Sequence, residues 1–124
     1  MKKLRVLKCN LNNRQICSKI ITQAIEDKSW IKLLPQKLTN ESIPEKDLPN
    51  HPGIILQSGG SSGKGYQCLH SIDNLNQSAF STGEWLKRQG IEPENCSFLN
   101  ALPIHHVSGL MPWWRSKCWG IKHN

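Results

Sequence analysis

Residues 58 to 64 read Ser58-Gly59-Gly60-Ser61-Ser62-Gly63-Lys64, and Gly65 follows. Small residues at that density let a backbone approach a ligand closely. Glycine enters positive φ at little steric cost, and successive main-chain N–H groups in such turns make a concave anion site. Ser58, Ser61 and Ser62 add hydroxyl donors, and Lys64 adds a positive charge. Those are the groups that hold a polyphosphate. The same composition also describes a flexible connector. It is not a Walker A element, which needs Gly, four residues, then Gly-Lys-Ser/Thr: Ser58 stands at the first position and Gly65 follows Lys64.

A second concentration of chemically active side chains is His105-His106, inside Ala101-Leu102-Pro103-Ile104-His105-His106-Val107-Ser108-Gly109-Leu110. Adjacent residues on a strand or tight loop point to different sides, so His105 is expected to face away from His106. No carboxylate is near in sequence to complete a zinc set, and no metal is expected. His106 fits either a hydrogen-bonded structural role or a pocket role.

Elements must hold these groups in place. Gly53-Ile54-Ile55-Leu56-Gln57 runs directly into the glycine-rich stretch, after Pro52. Its residues 54–57 lack polar alternation, as in an interior strand covered on both faces. Tyr66-Gln67-Cys68-Leu69 reads as a short returning strand. Asp73 opens a helix in which Leu75, Ala79, Thr82 or Gly83, and Leu86 follow the helical period. Gly90 sits where a C-terminal glycine cap belongs, and Gly83 in mid-helix implies close packing on a sheet. Ser97-Phe98-Leu99-Asn100-Ala101-Leu102 reads as a strand. Ser108 then caps a third helix starting near Gly109, with Pro112 in its first turn.

Upstream, Ile16, Ile20, Ile21 and Ala24 give an apolar stripe over residues 12–27, a helix that Asn12 or Asn13 caps. Trp30, Ile31, Leu33 and Leu34 form an apolar patch before Pro35. Pro44, Pro49 and Pro52 mark residues 36–52 as a connector. Strand, loop, helix, strand, helix is the grammar of an α/β layer. The division expected is an N-terminal helix with a Pro-rich connector over 1–52 and a partial α/β domain over 53–124.

The two landmarks also occur in a known order. The run Ile55 to Gly65, followed by Asn74-Leu75 and then by Ala101 to Leu110, resembles the adenylate-forming (AMP-binding) acyl-CoA synthetase superfamily. The first stretch is similar to its ATP-phosphate loop and the second to its Leu-Pro-x-x-His-x-x-Gly-Leu segment. Met111-Pro112-Trp113-Trp114-Arg115-Ser116 narrows the resemblance to the o-succinylbenzoate–CoA ligases of menaquinone and phylloquinone synthesis. The likeness covers roughly residues 53 to 122.

The resemblance implies part of the three-layer α/β N-terminal domain of that fold, with ATP, Mg2+ and CoA as cofactors and an aromatic carboxylate as substrate. It implies phosphate binding by Ser58, Gly59, Gly60, Ser61, Ser62, Gly63 and Lys64, and a substrate pocket bordered by His106, Ser108 and Gly109. Two departures stand out. The family's Pro-Lys-Gly is replaced by Gly65-Tyr66-Gln67, which puts uncharged Tyr66 at a commonly basic place. The adenine and ribose segments, the hinge and the distal catalytic lysine have no counterpart, so a truncated ligase, inactive alone and without catalytic residues of its own, is expected. The alternatives are a small interaction protein that docks through its tryptophan helix, and one half of a ligase completed by a separately encoded remainder. The density of Trp113, Trp114 and Trp119 on that helix has core packing as its ordinary meaning; a layer cut at that point is expected instead to leave the helix uncovered.

Composition sets further bounds. The 124 residues suit one ordinary domain. The formal net charge is +7 and the pI about 9.4, but only Lys2-Lys3-Leu4-Arg5 and Lys87-Arg88 cluster, without interleaved aromatics for base stacking. Nucleic-acid binding is not expected. Five cysteines, an odd number without a C-x-x-C pair, argue against a disulfide scaffold or zinc ribbon. Arg5, Lys8 and Asn10 interrupt the signal-like start, and no apolar run approaches the ~20 residues of a membrane span. The expectation is a cytoplasmic protein with no membrane association.

Overall fold

A computed structural model describes residues 3–36, 43–57 and 66–124 of the chain. The apolar runs Trp30–Pro35 (β2) and Gly53–Gln57 (β3) are the interior strands of a four-stranded sheet. Strand β1 (Leu4–Cys9) pairs in parallel with β2, and β2 in parallel with β3. Strand β4 (Gln67–Ser71) returns antiparallel to β3. The missing alternation in β3 has its expected cause, since Ile54 and Ile55 are wholly buried on opposite faces. The patch before Pro35 is a strand for the same reason.

Helix α1 (Arg14–Glu26) joins β1 to β2, the crossover that parallel pairing requires. Helix α2 (Ile72–Arg88) follows β4 without a loop, and Ser71 Oγ caps it by accepting the Asn74 N–H at 3.1 Å. Gly90 takes a φ of 82° just past its end, the left-handed conformation that stops a helix. Helix α3 (Val107–Trp119) ends the same way at Gly120.

All three helices lie against one face of the sheet. Ile31, Leu33, Ile54 and Leu56 meet Cys17, Ile21 and Ala24 of α1, Leu75 and Ala79 of α2, and Leu110, Trp113 and Trp114 of α3 in one buried cluster. On the other face Trp30 and Ile55 pack with Leu48. Leu48 belongs to the Pro-rich connector, which therefore seals that face, and the Trp30 indole donates to the Pro49 carbonyl oxygen at 3.0 Å. Arg5 of β1 pairs with Asp27, just past α1. No helix among the described residues is long and apolar enough to cross a membrane.

Four local expectations are corrected. Residues 97–102 form no strand; they hold one parallel bridge, Phe98 to His123, with backbone hydrogen bonds to the short segment Lys122–Asn124. Helix α3 begins at Val107 instead of near Gly109, since the His106 carbonyl already accepts the Leu110 N–H at 2.8 Å; Ser108 makes no cap and Pro112 lies inside the helix. Gly83 packs on Trp119 and not on the sheet: an added β-carbon would stand 3.3 Å from its indole nitrogen.

The fourth concerns α3 as a whole. Trp113 and Trp114 are 6% and 4% exposed. Their indole N–H groups donate to Ser18 Oγ of α1 at 3.1 Å and Asn76 Oδ1 of α2 at 3.0 Å, while Trp119 donates to the Ala79 carbonyl oxygen at 3.1 Å. Lys117 reaches Thr22 Oγ1 and stands 4.8 Å from the Trp113 ring centre. The tryptophan helix is covered by α1 and α2, so it is not the open docking face expected of it.

Candidate functional site

Strand β3 ends at Gln57, and Ser58 is the next residue in the chain. Ser58 to Lys64, the candidate phosphate loop, lie outside the described residues. What surrounds their point of departure is described. A cavity of about 300 Å3 opens there, lined by Gln57 of β3, Cys68 and His70 of β4, and His105, His106 and Ser108 around the start of α3. The structure thus brings His106 and Ser108, distant in sequence, to the strand end that leads into the glycine-rich stretch.

Local folding explains the convergence. Pairing of Leu56 with Cys68 and Ile54 with His70 turns the two β4 side chains to the helical face. The Pro103–His106 turn, closed by the His106 N–H on the Pro103 carbonyl oxygen at 3.2 Å, delivers the imidazoles to the same end. Gly109 is the exception among the resemblance-based pocket residues. It is buried against the Pro103 carbonyl and borders a different cavity.

His105 is placed otherwise than expected. Its ring centre lies 4.4 Å from that of His106, the planes are 41° apart, and both rings line the same cavity. Adjacent residues can do this because Pro103–His106 is a turn and not an extended strand. Burial, followed by the neighbouring His106, pushes the His105 imidazole below its ordinary pKa.

The same end of the sheet carries unpaired polar atoms. Gln57 Oε1, Gln67 Oε1 and His105 Nδ1 are buried and have no hydrogen-bond partner among the described residues, and Gln57 and Gln67 are register partners. Such atoms are rare in folded proteins and call for an explanation such as a ligand, ion or water. Among the described residues no carboxylate lines this cavity, and no group of three His, Cys, Asp or Glu could hold a metal ion.

Cys68, His70 and Gln57 were not singled out from sequence. The available signal was the period of two in β4, which becomes readable only once the register against β3 is known. Of the other cysteines, Cys9 and Cys17 are buried, and burial, reinforced by Cys17, pushes the Cys9 thiol up to about 12. A thiol held protonated in that way is not a nucleophile.

Comparison with solved structures decides the architecture. The chain superimposes on o-succinylbenzoate CoA synthetase from Bacillus subtilis in complex with the acyl-adenylate intermediate OSB-AMP, with a TM-score of 0.67 at 16% identity, over 98% of this chain and 42% of that one. The fold is that of a segment of this synthetase. The structure of the same enzyme with ATP and magnesium gives a TM-score of 0.66 at 16% identity, covering 98% of this chain and 43% of that chain. Its AMP complex gives 0.53 at 17% identity, covering 98% and 33%. The chain therefore spans about two fifths of the length of the first two synthetase structures. No family model matches the chain, and no curated protein matches it either.

Proposed function

We propose that the chain supplies the phosphate-binding and acid-binding layer of an adenylate-forming acid–CoA ligase acting on o-succinylbenzoate. One observation carries this reading. The strand that enters the glycine-rich stretch and the turn that carries His106 and Ser108 border one cavity, on a fold shared with synthetases solved with ATP and with an acyl-adenylate.

On this reading Ser58 to Lys64 hold the β- and γ-phosphates of Mg2+·ATP through main-chain N–H groups, hydroxyls and the lysine charge. A carboxylate oxygen attacks the α-phosphorus, the bond to the β-phosphate bridging oxygen breaks, and pyrophosphate leaves. CoA thiolate then takes the acyl group and releases AMP, completing a step of menaquinone or phylloquinone synthesis. Transfer at phosphorus depends mainly on alignment and charge neutralisation. His106 and Ser108 border the acid from the far side of the cavity, and Gly109 keeps their turn close. Residues 1–124 by themselves bind nucleotide without completing the reaction, because they correspond to 42% of the matched synthetase.

Titration of Mg2+·ATP against the amide resonances of the chain tests the reading. Shifts are expected at Gln57, residues 58–65 and Tyr66, and they should weaken with salt, since exposed charges are screened over about 10 Å at 0.1 M. Shifts confined to Lys3 and Arg5 would show binding to general basic charge and reject the site. With o-succinylbenzoate added, no pyrophosphate should appear above a blank, and robust release would reject the need for further residues.

A further inference from the structure

One stripe of α2 faces a separate cavity. Asn76, Phe80, Gly83, Glu84 and Lys87 recur at three- and four-residue spacing and line a space of about 520 Å3. Trp119 at the end of α3 closes it on one side, and Pro93 and Glu94 of the turn after α2 close it on another. It shares no residue with the cavity at the end of β3. Its volume is in the range of small-molecule sites, roughly 300–1,000 Å3.

The floor is aromatic and the rim acidic. Gly83 has no side chain, so Trp119 and Pro93 come down onto α2: a β-carbon there would stand 3.3 Å from Trp119 Nε1 and 3.5 Å from Pro93 Cγ. Phe98 stacks on Trp119 with ring centres 5.6 Å apart, and the Ala79 carbonyl oxygen takes the indole N–H, so that wall is fixed. Phe80 is 62% exposed and leaves much of its ring to a guest. Glu84 pairs with Lys87 at 3.2 Å. The Glu94 carboxylate accepts no hydrogen bond and makes no ion pair among the described residues. Two carboxylates thus line the cavity against one ammonium. Glu84, with smaller help from Glu92 and Glu94, raises the Lys87 pKa, as a negative surrounding must. On a chain of net charge +7, three of the nine acidic residues fall within 84–94.

We infer that this cavity binds a small organic cation, an arylalkyl ammonium ion. Its charge meets the Glu94 carboxylate and the face of Phe80, and its hydrocarbon body lies on Pro93 and Trp119. An aromatic face attracts a cation through the ring quadrupole, and the unpaired carboxylate supplies the counter-charge. An anion would meet Glu84 and Glu94, and a neutral guest would forgo both attractions. The inference stands apart from the nucleotide reading, since none of the residues assigned to that site lines this cavity.

The test uses the whole chain without nucleotide. 2-Phenylethylammonium is titrated while the Trp119 indole N–H and the Gly83 and Glu84 amides are followed by NMR. 2-Phenylethanol is the uncharged counterpart and 3-phenylpropanoate the one of opposite charge. The cation should shift those resonances and bind about fivefold tighter than the alcohol, the equivalent of one exposed charge pair with one cation–ring contact. The anion should bind more weakly than the alcohol. Glu94→Gln and Phe80→Ala should each weaken the cation by about threefold, and Lys87→Gln, which removes the competing ammonium, should tighten it by about twofold. All three side chains are exposed, so these variants keep the core. Equal binding of the alcohol, unchanged affinity in E94Q, weaker binding in K87Q, or shifts at Cys68, His70 and Val107 instead would overturn the inference.

Discussion

A β-carbon built on Gly109 would stand 2.0 Å from the carbonyl oxygen of Pro103. The first turn of α3 is thus pressed onto the Pro103–His106 turn, and that contact sets where His106 and Ser108 stand. Gly109→Ala must push one backbone off the other. The expected cost is about 3 kcal/mol, the upper end of overpacking penalties, read from denaturant unfolding. A loss below 1 kcal/mol would show that the turn yields easily.

Lys64 and His106 should separate in function. Lys64→Ala is expected to weaken Mg2+·ATP by about tenfold, the value of one charged contact to phosphate. His106→Ala should leave ATP affinity within about twofold and act on the acid side only. Calorimetric titration of both variants checks this, and a large ATP defect in His106→Ala would contradict the division of roles.

The three helices are stitched by indole N–H groups. Asn76→Ala removes the acceptor of Trp114 at 3.0 Å. A loss of about 1 kcal/mol is expected, one net hydrogen bond, with a shift of the Trp114 indole resonance. Ser18→Ala should do the same to Trp113. If neither changes stability, packing alone holds α3.

Acid should destabilise the fold through two histidines. The Asn100 amide is oriented by the Leu102 N–H and the Gly109 carbonyl, so its remaining N–H must donate to His123 Nε2, which therefore carries no proton. Burial, then Arg14, lowers the pKa of His123, and burial, then His106, lowers that of His105. Below about pH 6.5 the unfolded chain binds more protons than the folded one. Stability is full above that pH and falls as the pH drops toward each folded pKa. The melting temperature should be lower at pH 5 than at pH 7.5, and His123→Gln should flatten part of the decline. A melting temperature unchanged between the two pH values would rule this out.

The covered state of α3 also bears on folding. Trp113 and Trp114 should show blue-shifted emission protected from an aqueous quencher. Emission like that of free tryptophan would mean that α1 and α2 do not close over the helix in solution.

Some of this architecture was legible in the residues themselves. The apolar run at 54–56 demanded an interior strand, because a strand buried on both faces has no polar side to show. The stripe in α1 and the period of Leu75 and Ala79 placed two helices, since a helix must turn one apolar side to a core. The order of the glycine-rich stretch and the Pro-x-x-His segment pointed to the fold that the comparisons show. Nothing local distinguished residues 97–102 from a strand, or the start of α3 at Val107 from one at Gly109. Those outcomes depend on which backbone lies alongside, Lys122–Asn124 in one case and Pro103 in the other. The same is true of the site. That Cys68, His70, Gln57 and His105 share a cavity follows from the β3–β4 register and a turn geometry, and that Trp113 and Trp114 are covered follows from how α1 and α2 pack. A side chain's chemistry is a property of sequence; its neighbours are set by contacts between segments far apart in the chain, and only the folded structure decides them.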